Sequence, residues 1–373
     1  MKMMMRVMIS KTQPQHHLNH SVLERINTGM VSQFRLDSLH LVYLGVFKRL
    51  ITTWCKWNGM WKLNRMTITA ISRTLECISI YCPQDLTRKP RSLEELKFFK
   101  GTEFRRLCLY DGILVFKDFV NENIYKHFLL LHSAIYILSH PILVHSMSDY
   151  ANQLLRTFIT HAATIYGKKF VVYNVHALSH LAEECALHGH LESFSAFKYE
   201  NFLKSIKCLL QSGYKPLHQV ANRDLERNIS VPIILESNVG EVKLSKRFIP
   251  QIEVLHGVHY KCVTIDNVVL QIGKKDSCFI LITDEVIILE DTVHIENRIF
   301  LVGKQFQQSK DFYTYPFPSS TLSILSVSQL NENVRILSMS EIKAKCWLIP
   351  DHNSFLCVPL LHTFPVFQAL QSS

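Results

Sequence analysis

Asp37 and His40 stand three residues apart in the stretch VSQFRLDSLHLVYLGVFKRL, an acid and an imidazole one helical turn from each other. Glu200 lies 163 positions further on, in SFSAFKYENFLKSIKCLLQSG, with Lys204 and Lys207 following it at helical spacing. Two carboxylates that meet in space can hold a divalent cation through hard oxygen donors and serve phosphoryl transfer. Each also has a plain structural reading. An Asp in the first turn of a helix is favoured by the helix dipole by about 0.3–1 kcal/mol. A Glu four residues before a Lys is a surface pair worth about 0.3–0.5 kcal/mol. Spacing alone does not separate the readings.

A second group of chemistry-bearing residues is YNVHALSHLAEECALHGH, residues 173–190. His176 and His180 are four apart, and Cys185 and His188 follow, so a structural zinc is one reading and satisfied core histidines the other. Ala177 stands where a metalloprotease would carry its glutamate, which disfavours that activity. The basic loop LTRKPRSLEEL offers Arg88, Lys89 and Arg91 as contacts for a phosphate backbone. No phosphate-binding glycine loop, dinucleotide fingerprint or nucleophile elbow occurs, which argues against NTPase, nicotinamide and α/β-hydrolase chemistry.

These residues need elements to position them. Apolar residues Val42, Tyr43, Val46, Phe47, Leu50 and Trp54 fall on one helical face. Ser92 and Glu95 have the spacing of a capping box. Residues 123–140 are apolar nearly all round and read as a buried central helix, and 148–167 reads as a helix stopped by Gly167. Further helical patterns cover about 174–187, 196–211 and PLHQVANRDLERN. After Asn228 the pattern turns to short β-rich runs, with Asp266-Asn267 as a two-residue hairpin turn. The expected fold is α+β: a mainly helical domain over 1–228, a linker over 229–240, and a small β barrel or sandwich over 241–373.

Charge is divided the same way. Residues 1–228 carry 29 Lys/Arg against 17 Asp/Glu, a net +12, whereas 229–373 carry 12 against 14, a net −2. The basic half favours an anionic partner such as DNA. The ten cysteines form no C-x-x-C pair and read as reduced, mostly buried thiols of an intracellular protein. No apolar run reaches the roughly 18–20 residues of a membrane span. The opening MKMMMRVMISKTQPQHH lacks the apolar core of a secretory signal and reads as a start inside a longer reading frame.

Four stretches together resemble the catalytic region of transposon-derived proteins related to the CACTA group: HHLNHSVLERINTGMVSQFRLDSLHLVYLGVFKRL, TRKPRSLEELKFFKGTEFRRLCLYDGILVFK, YKHFLLLHSAIYILSHP and YNVHALSHLAEECALHGHLESFSAFKYENFLKSIK. The tail, with FYTYPFPSSTLSI, SEIKAKCWLIP and VPLLHT, resembles theirs as well. The resemblance implies a DDE transposase with an RNase H-like core interrupted by a long helical insertion, acting in cut-and-paste DNA transposition with Mg²⁺ or Mn²⁺. It implies that DSLH supplies the second acid, Asp37, with His40 as its motif partner, and that KYENFL supplies Glu200, with Tyr199 where the family usually has Phe. Asp37 and Glu200 would be the metal ligands, and Lys204, Lys207, Arg88, Lys89 and Arg91 would meet the DNA backbone. The first catalytic Asp has no counterpart among the 36 residues before Asp37, so the resemblance implies a truncated, catalytically incomplete fragment, or a domesticated scaffold that binds nucleic acid or protein. It also implies a nuclear location and leaves the oligomeric state open.

Overall fold

The computed structural model describes residues 34–229, 241–251 and 253–371. The expected linker, apart from Ile229, lies outside the described residues. Helices fill the chain up to that gap and strands dominate after it, an α+β arrangement.

The first helix, α1, begins with Ser38–Phe47 in wide i→i+5 turns and continues as Lys48–Lys56. Its apolar face is buried at every position the periodicity marks, from Val42 to Trp54. The wide turns need Gly45: a Cβ there would lie 2.6 Å from the His40 carbonyl oxygen, five residues back, and equally close to the Asn174 amide. Such wide turns recur at functional sites. Helix α2 is Arg65–Ile78, capped by Asn64, and α3 is Gly101–Arg106. Ser92 caps the 3₁₀ turn Leu93–Phe98, yet the box is incomplete because Glu95 turns to Arg91 instead.

Helix α4, Glu122–Ser139, is the buried pillar its composition predicts. Helix α5, Leu143–Tyr166, packs along it and stops at Gly167, whose φ of +84° a side chain would resist. The next helical stretch is broken into α6 (Tyr173–Ala177), a 3₁₀ turn (Leu178–His180) and α7 (Leu181–His188). Helices α8, Phe197–Lys207, and α9, Pro216–Ile229, complete the half. Residues 34–229 contain no strand among those described, so the expected RNase H-like core gains no sheet here.

The second half has nine strands: β1 Val242–Arg247, β2 Val258–Ile265, β3 Val268–Gln271, β4 Cys278–Leu281, β5 Val286–Ile295, β6 Arg298–Asp311, β7 Leu325–Ser338, β8 Ile342–Asp351 and β9 Ser354–Pro359. Every pairing is antiparallel. The order β5-β4-β8-β9-β7-β6 closes on itself through the β5–β6 pairing, which makes the barrel of the two architectures the sequence allows. Closure removes the free edges of those six strands. β2 joins the ring at β5 and carries β1 and β3 on it; the β2–β3 turn falls at Asp266-Asn267, with Asp266 at φ +51°. A final helix, α10, spans Phe364–Gln371.

The halves share one hydrophobic core that runs from α1 and α4 to Trp347, Leu361 and Phe364. Tyr136 of α4 donates to the Pro359 carbonyl at 2.9 Å. Lys345 of β8 is completely buried, and its ammonium bonds Asp276 at 2.7 Å and also Asp85 of the helical half. An unpaired ammonium there would be prohibitive, so the two acids are what permit its burial.

Candidate functional site

Asp37 caps α1 in the ordinary way, its carboxylate accepting from the backbone N–H groups of Leu39 at 3.2 Å and His40 at 2.9 Å. The same carboxylate also accepts from the N–H of Ala196 at 2.7 Å. Ala196 is the residue from which α8 starts. One carboxylate therefore sits at the positive ends of two helices that are distant in sequence. Beneath it, Ser38 Oγ donates to Ser195 Oγ at 3.0 Å in a buried contact.

His40 extends the link. Its Nδ1 lies 2.6 Å from Asp37 Oδ2, and its Nε2 lies 3.4 Å from Glu200 Oε1, one turn into α8. The ring therefore bridges the two acids, one nitrogen towards each. The structure thus brings Asp37, His40 and Glu200 together. The surface-pair reading of Glu200 does not hold: no ion pair joins it to Lys204 among the described residues, and its partner is His40. The helix-capping reading of Asp37 does hold, and the convergence with Glu200 is added to it.

The arrangement does not fit a Mg²⁺ or Mn²⁺ ion. Both oxygens of Asp37 are already engaged, with four donors between them, and the imidazole ring fills the space between the two carboxylates. A hard cation would have to displace His40 to reach both acids.

Helix α8 is held at its start and little elsewhere. None of its residues is buried. Phe197 packs near Tyr43, ring centres 6.1 Å apart, with the Arg105 guanidinium over its ring at 5.6 Å. Further along, Tyr199, Phe202 and Leu203 are exposed at 71%, 65% and 54%, beside exposed Lys204 and Lys207. A cleft of ≈ 450 Å³ opens on another side of α8, lined by Arg88, Arg105, Tyr110, Glu192, Asn201 and His362; Asp37, His40 and Glu200 are outside it.

Among the loop cations, Arg88 and Lys89 are exposed. Arg91 is a correction to the sequence reading. Its guanidinium is engaged by the buried Glu103 at 2.6 Å, by Glu95 at 2.6 Å and by the Phe98 carbonyl at 3.0 Å. The Glu103 hydrogen bond raises its pKa further above the ordinary value. Arg91 commits four of its five N–H donors to tying down the turn before α3, which leaves it poorly placed to hold a phosphate.

The zinc reading is also overturned. The helix through His176 and Cys185 is interrupted at Leu178–His180, so the four residues do not share a face. The His176 and His180 ring centres are 5.9 Å apart, whereas the buried Cys185 thiol points to the Leu138 carbonyl of α4. Burial lowers both histidine pKa values and pushes the Cys185 thiol up to about 12, a protonated core thiol. Among the described residues, the single metal-competent group of His, Cys, Asp or Glu is a different one: Cys278, Cys346 and Cys357.

Residues 245–360 match a domain of unknown function, DUF8592. That match covers most of the β half and none of the residues around Asp37. No curated protein and no solved structure matches the chain. No helix among the described residues is long and apolar enough to cross a membrane.

Sequence reasoning missed Ser195 and the Ala196 N–H as partners of the Asp37 region. The signal was slight: a Ser-Ala pair just ahead of an amphipathic helix. It also missed the three barrel cysteines as a group, because their spacing is set by strand pairing and not by a linear motif.

Proposed function

We propose that this protein is a descendant of CACTA-like DDE transposases that binds DNA along α8 and keeps two acids of the ancestral triad as a structural clamp. The observation that carries the reading is the link Asp37–His40–Glu200, which joins two acids 163 positions apart in the order the resemblance implies. The clamp fixes the N-terminal end of α8 and leaves its outer face to solvent. Around its exposed surface Lys204 and Lys207 supply charge for a phosphate backbone, and on a separate stripe Tyr199 and Phe202 supply rings on which bases stack. The net +12 of residues 1–228 adds a sequence-independent attraction. With His40 between the acids, the clamp is unsuited to strand cleavage as it stands.

Fluorescence anisotropy with labelled duplex and single-stranded DNA tests this across a salt series. Binding should weaken with salt, and replacing Lys204 and Lys207 together by Ala should reduce the slope by about two. Absence of binding at low salt would refute the DNA reading. Mg²⁺-dependent nicking that disappears in Asp37→Ala would instead show an active metal site and overturn the clamp.

A further inference from the structure

Neighbouring strands β4, β8 and β9 each contribute one cysteine to a common point: Cys278, Cys346 and Cys357. The β4–β8 register pairs Phe279 with Lys345, which sets Cys278 and Cys346 side by side. The β8–β9 register pairs Leu348 with Cys357 and Cys346 with Pro359, which puts Cys357 diagonal to Cys346. The three sulfurs lie within 4.8 Å of one another, and the residues are 2%, 0% and 0% exposed. Sulfurs on a shared ion with metal–sulfur bonds of about 2.3 Å lie about 4 Å apart, so the protein holds the trio close to ligating distance.

We infer that Cys278, Cys346 and Cys357 form a three-thiolate site for a soft d¹⁰ cation inside the barrel. No His, Asp or Glu among the described residues joins them as a fourth donor. Closed structural zinc sites take four protein ligands, whereas soft thiolate sets also select monovalent copper, which accepts three. Monovalent copper is therefore the better match in ligand count. Loading forms metal–sulfur bonds in place of S–H bonds, releases the thiol protons to solvent and transfers no electron. Because the sulfurs are enclosed, the ion enters as the chain folds and its binding energy adds to folding.

The test uses the full chain produced with supplemental copper or with supplemental zinc, purified under reducing conditions and analysed for metal by mass spectrometry. Ultraviolet thiolate-to-copper charge-transfer absorption provides a second readout. One copper per chain, lost in Cys346→Ser and Cys357→Ser and kept in the exposed-cysteine control Cys77→Ser, supports the site; zinc in its place at the same stoichiometry supports it with the other ion. If either variant fails to fold, Cys278→Ala serves as the third. Metal-free wild-type protein from both media, metal content unchanged by the substitutions, or a disulfide between two of the three would each overturn the inference.

Discussion

Helices α4 and α8 are both legible as helices in the sequence, yet they meet opposite fates. α4 is buried along nearly its whole length, whereas α8 buries none of its residues. Even their histidine chemistry is opposite. His127, at the α4 core, stacks on Phe158 with ring centres 4.2 Å apart, bonds the Phe158 carbonyl and receives the Tyr166 hydroxyl. His140, just past the end of α4, accepts the Ile142 and Leu143 N–H groups on Nδ1, so its ring must be neutral there. His40, against α8, is 61% exposed and faces two carboxylates. The lesson is that α4 sets stability, whereas α8 keeps its side chains in solvent.

The largest expected effect lies on the α4 side. Burial lowers the pKa of His127 and His132 to about 4 and of His140 to about 3. These folded values lie below the ordinary 6.5, so the unfolded chain takes up protons first as pH falls. Stability should be full above about pH 6.5 and should drop towards pH 4, each histidine contributing up to about 1.4 kcal/mol per pH unit. Urea denaturation across that range measures it, and a flat profile would mean that these rings are not buried neutral. Next, Phe128→Ala should cost about 3–5 kcal/mol, because Phe128 packs fully buried among Phe47, Trp54 and Phe116.

On the α8 side the effects shrink. Asp37→Ala removes the acceptor for two helix starts and should cost about 1–2 kcal/mol, with faster amide exchange at Ala196 as its local signature. Glu200→Gln changes an exposed contact and should move stability by no more than about 0.5 kcal/mol. A loss comparable to Phe128→Ala would mean that α8 is part of the core and would erase the contrast.

Periodicity placed α1 and α5 because burial of one face leaves a 3.6-residue imprint, composition placed the wholly buried α4, and the same apolar spacing placed α8 although none of its residues is buried. The β-rich runs YKCVTI, VVLQI, CFILIT, VIILE, RIFLVG, CWLIP and FLCVPL fall on seven of the nine strands. The two missed, β1 (VKLSKR) and β7 (LSVSQLNENVRILS), are rich in exposed polar residues; β7 buries apolar side chains only towards its ends, at Leu325, Val327 and Leu337, so no continuous alternation marks it. At the site, residue types named Asp37, His40 and Glu200, and the resemblance paired them. Nothing local could foresee that Arg91 would be taken up by Glu103, or that the helix carrying His176 would break. Both outcomes depend on neighbours supplied by tertiary packing.

The central claim is that α8 presents a binding face fixed at one end by the Asp37–His40–Glu200 link. Hydrogen–deuterium exchange with and without duplex DNA at low salt addresses it most directly. The account predicts slowed exchange over residues 197–207 on DNA addition, with the barrel strands unchanged. Protection confined to the barrel, or α8 exchange indifferent to DNA, would contradict it.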